Sequence, residues 1–217
     1  MRLKITLILT LALLNAVPAS ARFDRRPLTT ALTVPTAYTL NEGEVAIGIG
    51  PVSYGLTQNI EVGTNLLLLF LGVNAYGKLS LVEPAPGRMG YAVGGGFFNI
   101  DIGDIASVTG IPVFASATRI IDGLNKLHFN AQVAYLSEDV SDEATGSVSG
   151  TSVTAAIESQ RTDMAILVGE AGYDLSFRSP ILGGGVIFGW ESFRLRLGAT
   201  LLPDVFPVIG LWWRFFP

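Results

Sequence analysis

The 217-residue chain has no cysteine and one histidine, His128. Without thiols there is no disulfide framework, no thiolate metal site and no cysteine-linked lipid anchor. One imidazole is also too little for a histidine-based metal centre, so neither a metal nor a cofactor is expected. Charge is sparse at 15% of residues, with 14 Lys and Arg against 18 Asp and Glu. That balance repels a phosphate backbone and excludes nucleic acid as a partner. Long apolar runs are missing as well. Past residue 21 the longest unbroken aliphatic or aromatic stretch is Leu66 to Leu71, far short of the ~20 residues that a spanning helix needs. Yet the mean hydropathy is +0.48, high for a chain that mixes with water on all sides.

The first residues account for part of that hydropathy. Arg2 and Lys4 precede an apolar run from Ile5 to Leu14, and Val17-Pro18-Ala19-Ser20-Ala21 follows with small residues where a signal peptidase inspects the chain. Residues 1–21 therefore read as a secretory signal cleaved after Ala21. Its removal leaves 12 basic against 18 acidic residues, a formal charge of −6.

The rest of the hydropathy is distributed in alternation. Phe193, Leu195, Leu197, Ala199 and Leu201 alternate with Arg194, Arg196, Gly198 and Thr200, and Ile209, Leu211, Trp213 and Phe215 with Gly210, Trp212 and Arg214. Each stretch predicts a strand with one apolar face and one polar face. Lipid outside and a polar lumen inside satisfy both faces. The chain closes on Trp212-Trp213-Arg214-Phe215-Phe216 before Pro217. In this it resembles bacterial outer-membrane β-barrel proteins, whose amphipathic last strand ends in an aromatic residue. The resemblance implies the outer membrane as location, its lipids as surroundings, and the barrel assembly machinery as a partner during biogenesis. The opening, with Pro35-Thr36-Ala37, Glu42-Gly43-Glu44 and Tyr54 to Gly63, is similar to that of small Gram-negative outer-membrane barrels. Many of those have no assigned function.

Read in order, residues 22–40 form a leader, in which 32–38 is either a first edge strand or a segment tucked into the barrel mouth. Residues 41–217 form the barrel. Strands are expected at 44–56, 60–69, 74–82, 89–100, 111–121, 127–136, 164–175 and 181–188, followed by the two closing strands. The hairpin at Asp122-Gly123-Leu124-Asn125 carries fitting turn residues. The best alternation places Leu127, Phe129, Ala131, Val133 and Tyr135 toward lipid, with His128, Asn130, Gln132 and Ala134 toward the lumen. The fold class is thus an all-β, transmembrane, antiparallel up-and-down barrel of about ten strands, within a range of eight to twelve. The polar segment 137–163 reads as a long surface loop. Twelve strands follow if 32–38 and 148–157 both pair. The sequence sets no oligomeric state.

The chemistry on offer lies on the inner face. Arg194, Arg196, Arg214 and Lys78 point inward, with Glu61, Glu170 and Asp174 as partners, because an unpaired buried charge costs several kcal/mol. Pairing among them predicts a filled, narrow lumen; the alternative is a constriction that attracts anions. His128, Asn130 and Gln132 are polar lumen residues with no nucleophile motif beside them. Neither Gly94-Gly95-Gly96 nor Gly183-Gly184-Gly185 leads into a phosphate-loop signature; these glycines allow curvature or the close approach of a plugging segment. Trp190, Trp212, Trp213, Tyr54, Tyr135 and Tyr173 suit interfacial girdles. The expected function is a non-enzymatic barrel, structural or a narrow passage for small solutes or apolar ligands. The alternative, an outer-membrane lipid-modifying enzyme of acyl hydrolase or acyltransferase type, needs a serine and a carboxylate within reach of the His128 ring.

Overall fold

Stretches that alternate apolar with small or polar side chains become strands, and in a computed structural model those strands close on themselves. The structure describes residues 27–101, 106–140, 146–190, 192–202 and 204–215. The signal segment 1–21, leader residues 22–26, Phe216 of the aromatic end and Pro217 lie outside them. The strands are β1 (Val45–Gly48), β2 (Pro51–Thr57), β3 (Ile60–Asn65), β4 (Gly72–Val82), β5 (Gly90–Asp101), β6 (Ala106–Ile120), β7 (Asn125–Val140), β8 (Gly146–Thr162), β9 (Ala165–Asp174), β10 (Ser179–Trp190), β11 (Phe193–Leu202) and β12 (Asp204–Phe215). Each pairs antiparallel with its neighbours, and β1 closes on β12 from Val45↔Phe215 to Gly48↔Trp212. The fold is a twelve-stranded, closed, up-and-down barrel.

Twelve is the upper end of the expected range, and the two strands beyond ten have separate origins. Residues 44–56 are two strands, because Gly50 takes a φ of +107° just before Pro51 and turns the chain back on itself. Only glycine adopts such a backbone without strain. The second is β8, inside the segment 137–163 expected to be a loop. Its outward row is Val153, Ala155 and Ile157, its inward row Ser152, Thr154, Ala156 and Glu158, and it pairs with β7 from Asn125↔Ser159 to Glu138↔Gly146. Residues 32–38 form no wall strand. The expected strand 60–69 stops at Asn65, whose side chain accepts the amides of Leu67 and Leu68 and caps a single helical turn, α1 (Leu66–Leu69).

The alternation of β7 survives intact. Phe129, Val133 and Tyr135 stand exposed on the outer face, while His128 and Asn130 are buried inside. At the end of the barrel that carries both the start of β1 and the finish of β12, here the near rim, Phe188, Trp190, Phe193 and Trp213 form a chain of rings with centroids 5.1–6.2 Å apart. The opposite, far rim is uneven. β6, β7 and β8 have 15 to 17 residues, well beyond the ~9–11 that cross a bilayer, whereas β1, β2 and β3 have four to seven.

Candidate functional site: a strapped lumen plug

Residues 27–44 run through the lumen. Ala31 N–H donates to Val34 O and Thr36 N–H to Thr29 O, and Thr30 bridges Pro35, so the segment folds into a tight hairpin. Its apolar side chains find an apolar strip of the inner wall. Leu28, Ala31, Leu32 and Val34 form one buried cluster with Ala156, Ile166, Val168 and Ile187, flanked by Val208 and Trp212. Leu32 comes close to the wall: its methyl stands 2.8 and 2.7 Å from where a Cβ would be on Gly185 and Gly198. One glycine of the second triple run is therefore the seat of a plugging segment. The first run serves the wall itself, since the Phe114 ring lies over Gly94, as the Tyr76 ring does over Gly63, and Gly96 abuts the backbone of Ala75.

A chain segment folded this tightly cannot satisfy all its backbone groups internally, and buried groups left unpaired are costly. The charged lumen residues supply the partners. The Glu170 carboxylate accepts from Thr33 N–H at 2.7 Å, from Val34 N–H at 3.0 Å and from the Thr33 hydroxyl. Glu61 accepts from Leu40 N–H at 3.0 Å. In the other polarity, Arg196 donates to Leu32 O at 2.7 Å and Thr30 O at 3.2 Å, Lys78 to Thr29 O at 2.9 Å, and Arg214 to Pro27 O at 2.9 Å. Ser80 donates to Ala37 O, and Ala37 N–H donates to Thr118. Hydrogen bonds with one ionised partner are roughly twice as strong as neutral ones, so this lattice is a firm clamp.

The expected pairing among the charges is therefore only part of the arrangement. Lys78 and Glu61 approach to 3.8 Å and Tyr76 donates to the same carboxylate at 3.0 Å, but Arg196 and Glu170 each reach the plug. Asp174 belongs elsewhere: its carboxylate accepts the amides of Ser176 and Phe177 in the β9–β10 turn. Arg194 is fully buried and donates to Phe193 O. Trp212 is not a girdle residue, because it faces inward beneath the Arg196 guanidinium, 4.9 Å from its ring centroid.

Two carboxylates escaped the sequence reading. Glu44 is fully buried and accepts from the Arg214 guanidinium at 2.5 Å and from Asn41. Its inward parity with Ala46 and Gly48 was a usable signal. Glu158 lay hidden in the segment read as a loop. It bonds Lys126 at 2.6 Å and the His128 Nε2 at 3.3 Å, while the His128 Nδ1 meets the Thr118 hydroxyl at 2.9 Å. Asn130 donates to Ser116, and Gln132 occupies the same inner row, half-buried. Lys126 also lies over the ring of Tyr38, whose phenol is pushed up to about 12, first by burial and then by Glu158 and Glu83.

A hydroxyl, an imidazole and a carboxylate in a row invite comparison with a hydrolase, but Thr118 and His128 have no exposed surface, and the Thr118 oxygen already accepts from the plug. A nucleophile must face its substrate. Among the described residues, no group of three His, Cys, Asp or Glu side chains is placed to hold a metal ion. A cavity of about 460 Å³ lies between the plug and the wall and includes Glu61, Tyr76, Lys78, Arg196, Trp212 and Arg214. A second, of about 230 Å³ near α1, shares Pro51, Tyr76, Gly96 and Pro112 with it.

The sequence matches no protein-family model and no curated protein. Among solved structures, the KdgM porin in complex with disordered oligogalacturonate is similar at 7% identity and a TM-score of 0.45, over 79% of this chain and 96% of that one. A second KdgM porin structure is similar at 6% identity with the same TM-score and coverage. Likeness of this degree carries no argument about what this chain binds.

Proposed function

We propose that the chain is a non-enzymatic outer-membrane β-barrel, a narrow passage for small solutes held shut by its own N-terminal segment. The observation that carries this reading is the division of faces around a strapped plug. The outer face is apolar along strands of both halves of the barrel, with Phe129, Val133, Leu182 and Ile209 exposed. Such a face is stable against hydrocarbon, and a closed barrel leaves few backbone groups to it. Inside, wall charges bond to the backbone of residues 27–40 from both sides of the lumen. The bonds to backbone atoms make the clamp insensitive to the plug's side chains, as suits a closure. The enzyme reading using His128 has no support in the geometry, because the ring is sealed beneath the plug.

The test is conductance of the purified full-length chain in a planar lipid bilayer. Low and infrequent conductance is expected, rising when Glu61→Gln and Glu170→Gln are combined, because two anchors of opposite walls lose their charge. A large, steady conductance of the unmodified chain would establish an open diffusion pore instead.

A further inference from the structure

The hydrogen bonding of β12 changes partway along the strand. Arg214 donates its backbone N–H to Ser192, beside β11. In an unbroken antiparallel register, even-numbered residues of β12 therefore turn their backbone groups to β11 and odd-numbered ones to β1. Leu211 obeys, accepting from Ile49 N–H at 2.9 Å. Beyond it β1 has ended, so Val205, Pro207 and Ile209 turn theirs toward a gap in the wall. One of the three is a proline, which has no N–H to leave unpaired. Among the described residues, no strand pairs with β12 along that stretch of edge.

The larger cavity reaches this gap. Its lining includes Ile49, Ile209 and Leu211, which continue the outward row of Ile47 and Trp213; Ile49 is 65% and Ile209 74% exposed. A lumen cavity touches outward-facing residues only where the wall is open. Leu66 N–H donates to Gly50 O, which seats α1 against the β1–β2 turn. The exposed Leu67, Leu69 and Phe70 therefore make the neighbouring rim apolar. The inner end has the opposite character. Lys78, Arg196, Arg214 and the carboxylate Glu61 line it; Arg214 is paired with Glu44 and Lys78 lies 3.8 Å from Glu61, whereas Arg196 faces no carboxylate at ion-pair distance among the described residues and its Nε has no hydrogen-bond partner.

The geometry points to a lateral binding site for a single-chain amphiphile with an anionic head, a long-chain carboxylate drawn from the bilayer. Its chain leaves through the gap beside Ile49 and Ile209, and its head meets Arg196 and Lys78. The volume is within the ~300–1,000 Å³ of small-molecule sites. The apolar exit and cationic floor select both halves of such a molecule. A free water-soluble anion gains nothing from the gap, and a neutral lipid gains nothing from the floor. This site rests on the membrane reading above and adds to it a ligand and a route.

The full-length chain, folded in non-ionic detergent, is titrated calorimetrically with palmitate, hexadecanol and butyrate against detergent blanks. Saturable binding of one palmitate per barrel is expected, at least tenfold tighter than hexadecanol or butyrate. Ile209→Arg and Arg196→Gln should each weaken palmitate tenfold or more. The headgroup and chain-length comparison is made on the unmodified chain, so it stands even if a variant fails to fold. Butyrate binding as tightly as palmitate would show a site filled from water. Palmitate uptake without saturation would show partitioning into the micelle alone. Cross-linked dimers that Ile209→Arg disperses, with no palmitate bound, would show that a second copy covers the gap. Each of these overturns the inference and leaves the barrel standing. A chain that never acquires a heat-modifiable, folded gel mobility in detergent overturns both.

Discussion

From β6 to β8 the wall is tall and stays in register throughout, from Ala106↔Val140 to Ile120↔Lys126 on one seam and from Asn125↔Ser159 to Glu138↔Gly146 on the next. From β1 to β3 it is low: β1 meets β12 only over Val45 to Gly48, and β3 meets β4 only from Ile60↔Leu79 to Gly63↔Tyr76. The tall side keeps its ion pair within the wall, where Lys126 bonds Glu158 at 2.6 Å, and meets the plug backbone through the neutral Thr118 hydroxyl. The low side carries charges: Glu44, Glu61, Lys78 and Arg214 stand on it or beside it, and each is tied to its neighbours or to the plug. Where the backbone ladder is short, ionised side chains and a borrowed segment take its place.

The largest expected contrast sets Arg214→Ala against Asn130→Ala. The first strands the Glu44 carboxylate in a buried site and should cost ~3–5 kcal/mol, whereas the second loses a neutral hydrogen bond of about 1 kcal/mol. Urea unfolding of the full chain in liposomes reads the difference, and equal losses would break the comparison.

On the outer face, Phe129→Arg and Val133→Arg should each cost ~2–4 kcal/mol if near the bilayer midplane, and Thr200→Arg, on the inner face, far less. Folding yield into liposomes separates the two sets. Parity of yields would contradict the facing of β7.

Gly185→Val should cost ~1–3 kcal/mol, because the added methyls meet Leu32 in a space already closed to a Cβ. The cost should come with raised conductance, since Leu32 is part of the plug. Destabilisation without a leak would mean that the wall, and not the segment, yields.

The smallest effect is expected from lengthening the connection 141–145 between β7 and β8. Doubling the number of residues between two paired strands costs only ~0.6 kcal/mol in closure entropy. The same insertion at Ile49-Gly50 should cost more, because it disturbs the turn on which α1 is seated. Thermal midpoints in detergent rank the two.

The barrel itself was legible where one strand face is clearly apolar, as in β7, β11 and β12. β8 was legible only as an alternative strand at 148–157, because serine, threonine, glycine and alanine occupy both faces and only Val153 and Ile157 mark the outer one. Glu158 was lost with that strand. The split at Gly50 was missed because alternation runs through 44–56 on both sides of the turn, and only the Gly-Pro pair betrays it. The inward charges Arg196, Arg214, Lys78, Glu61 and Glu170 followed from parity. Their partners did not, because a backbone carbonyl or amide of residues 27–40 has no signature in the sequence; the leader's own pattern fits an edge strand equally well.

The central claim is that residues 27–40 are clamped in the lumen through their backbone. Hydrogen exchange of the folded, full-length chain tests it directly, because the claim names the amides that should be protected. Thr33, Val34, Ala37 and Leu40 donate to Glu170, Thr118 and Glu61. They should exchange as slowly as the amides of β11, and Thr33 and Val34 should quicken selectively in Glu170→Gln. Exchange of all four at the rate of an unfolded peptide, with the strands still protected, would contradict the account.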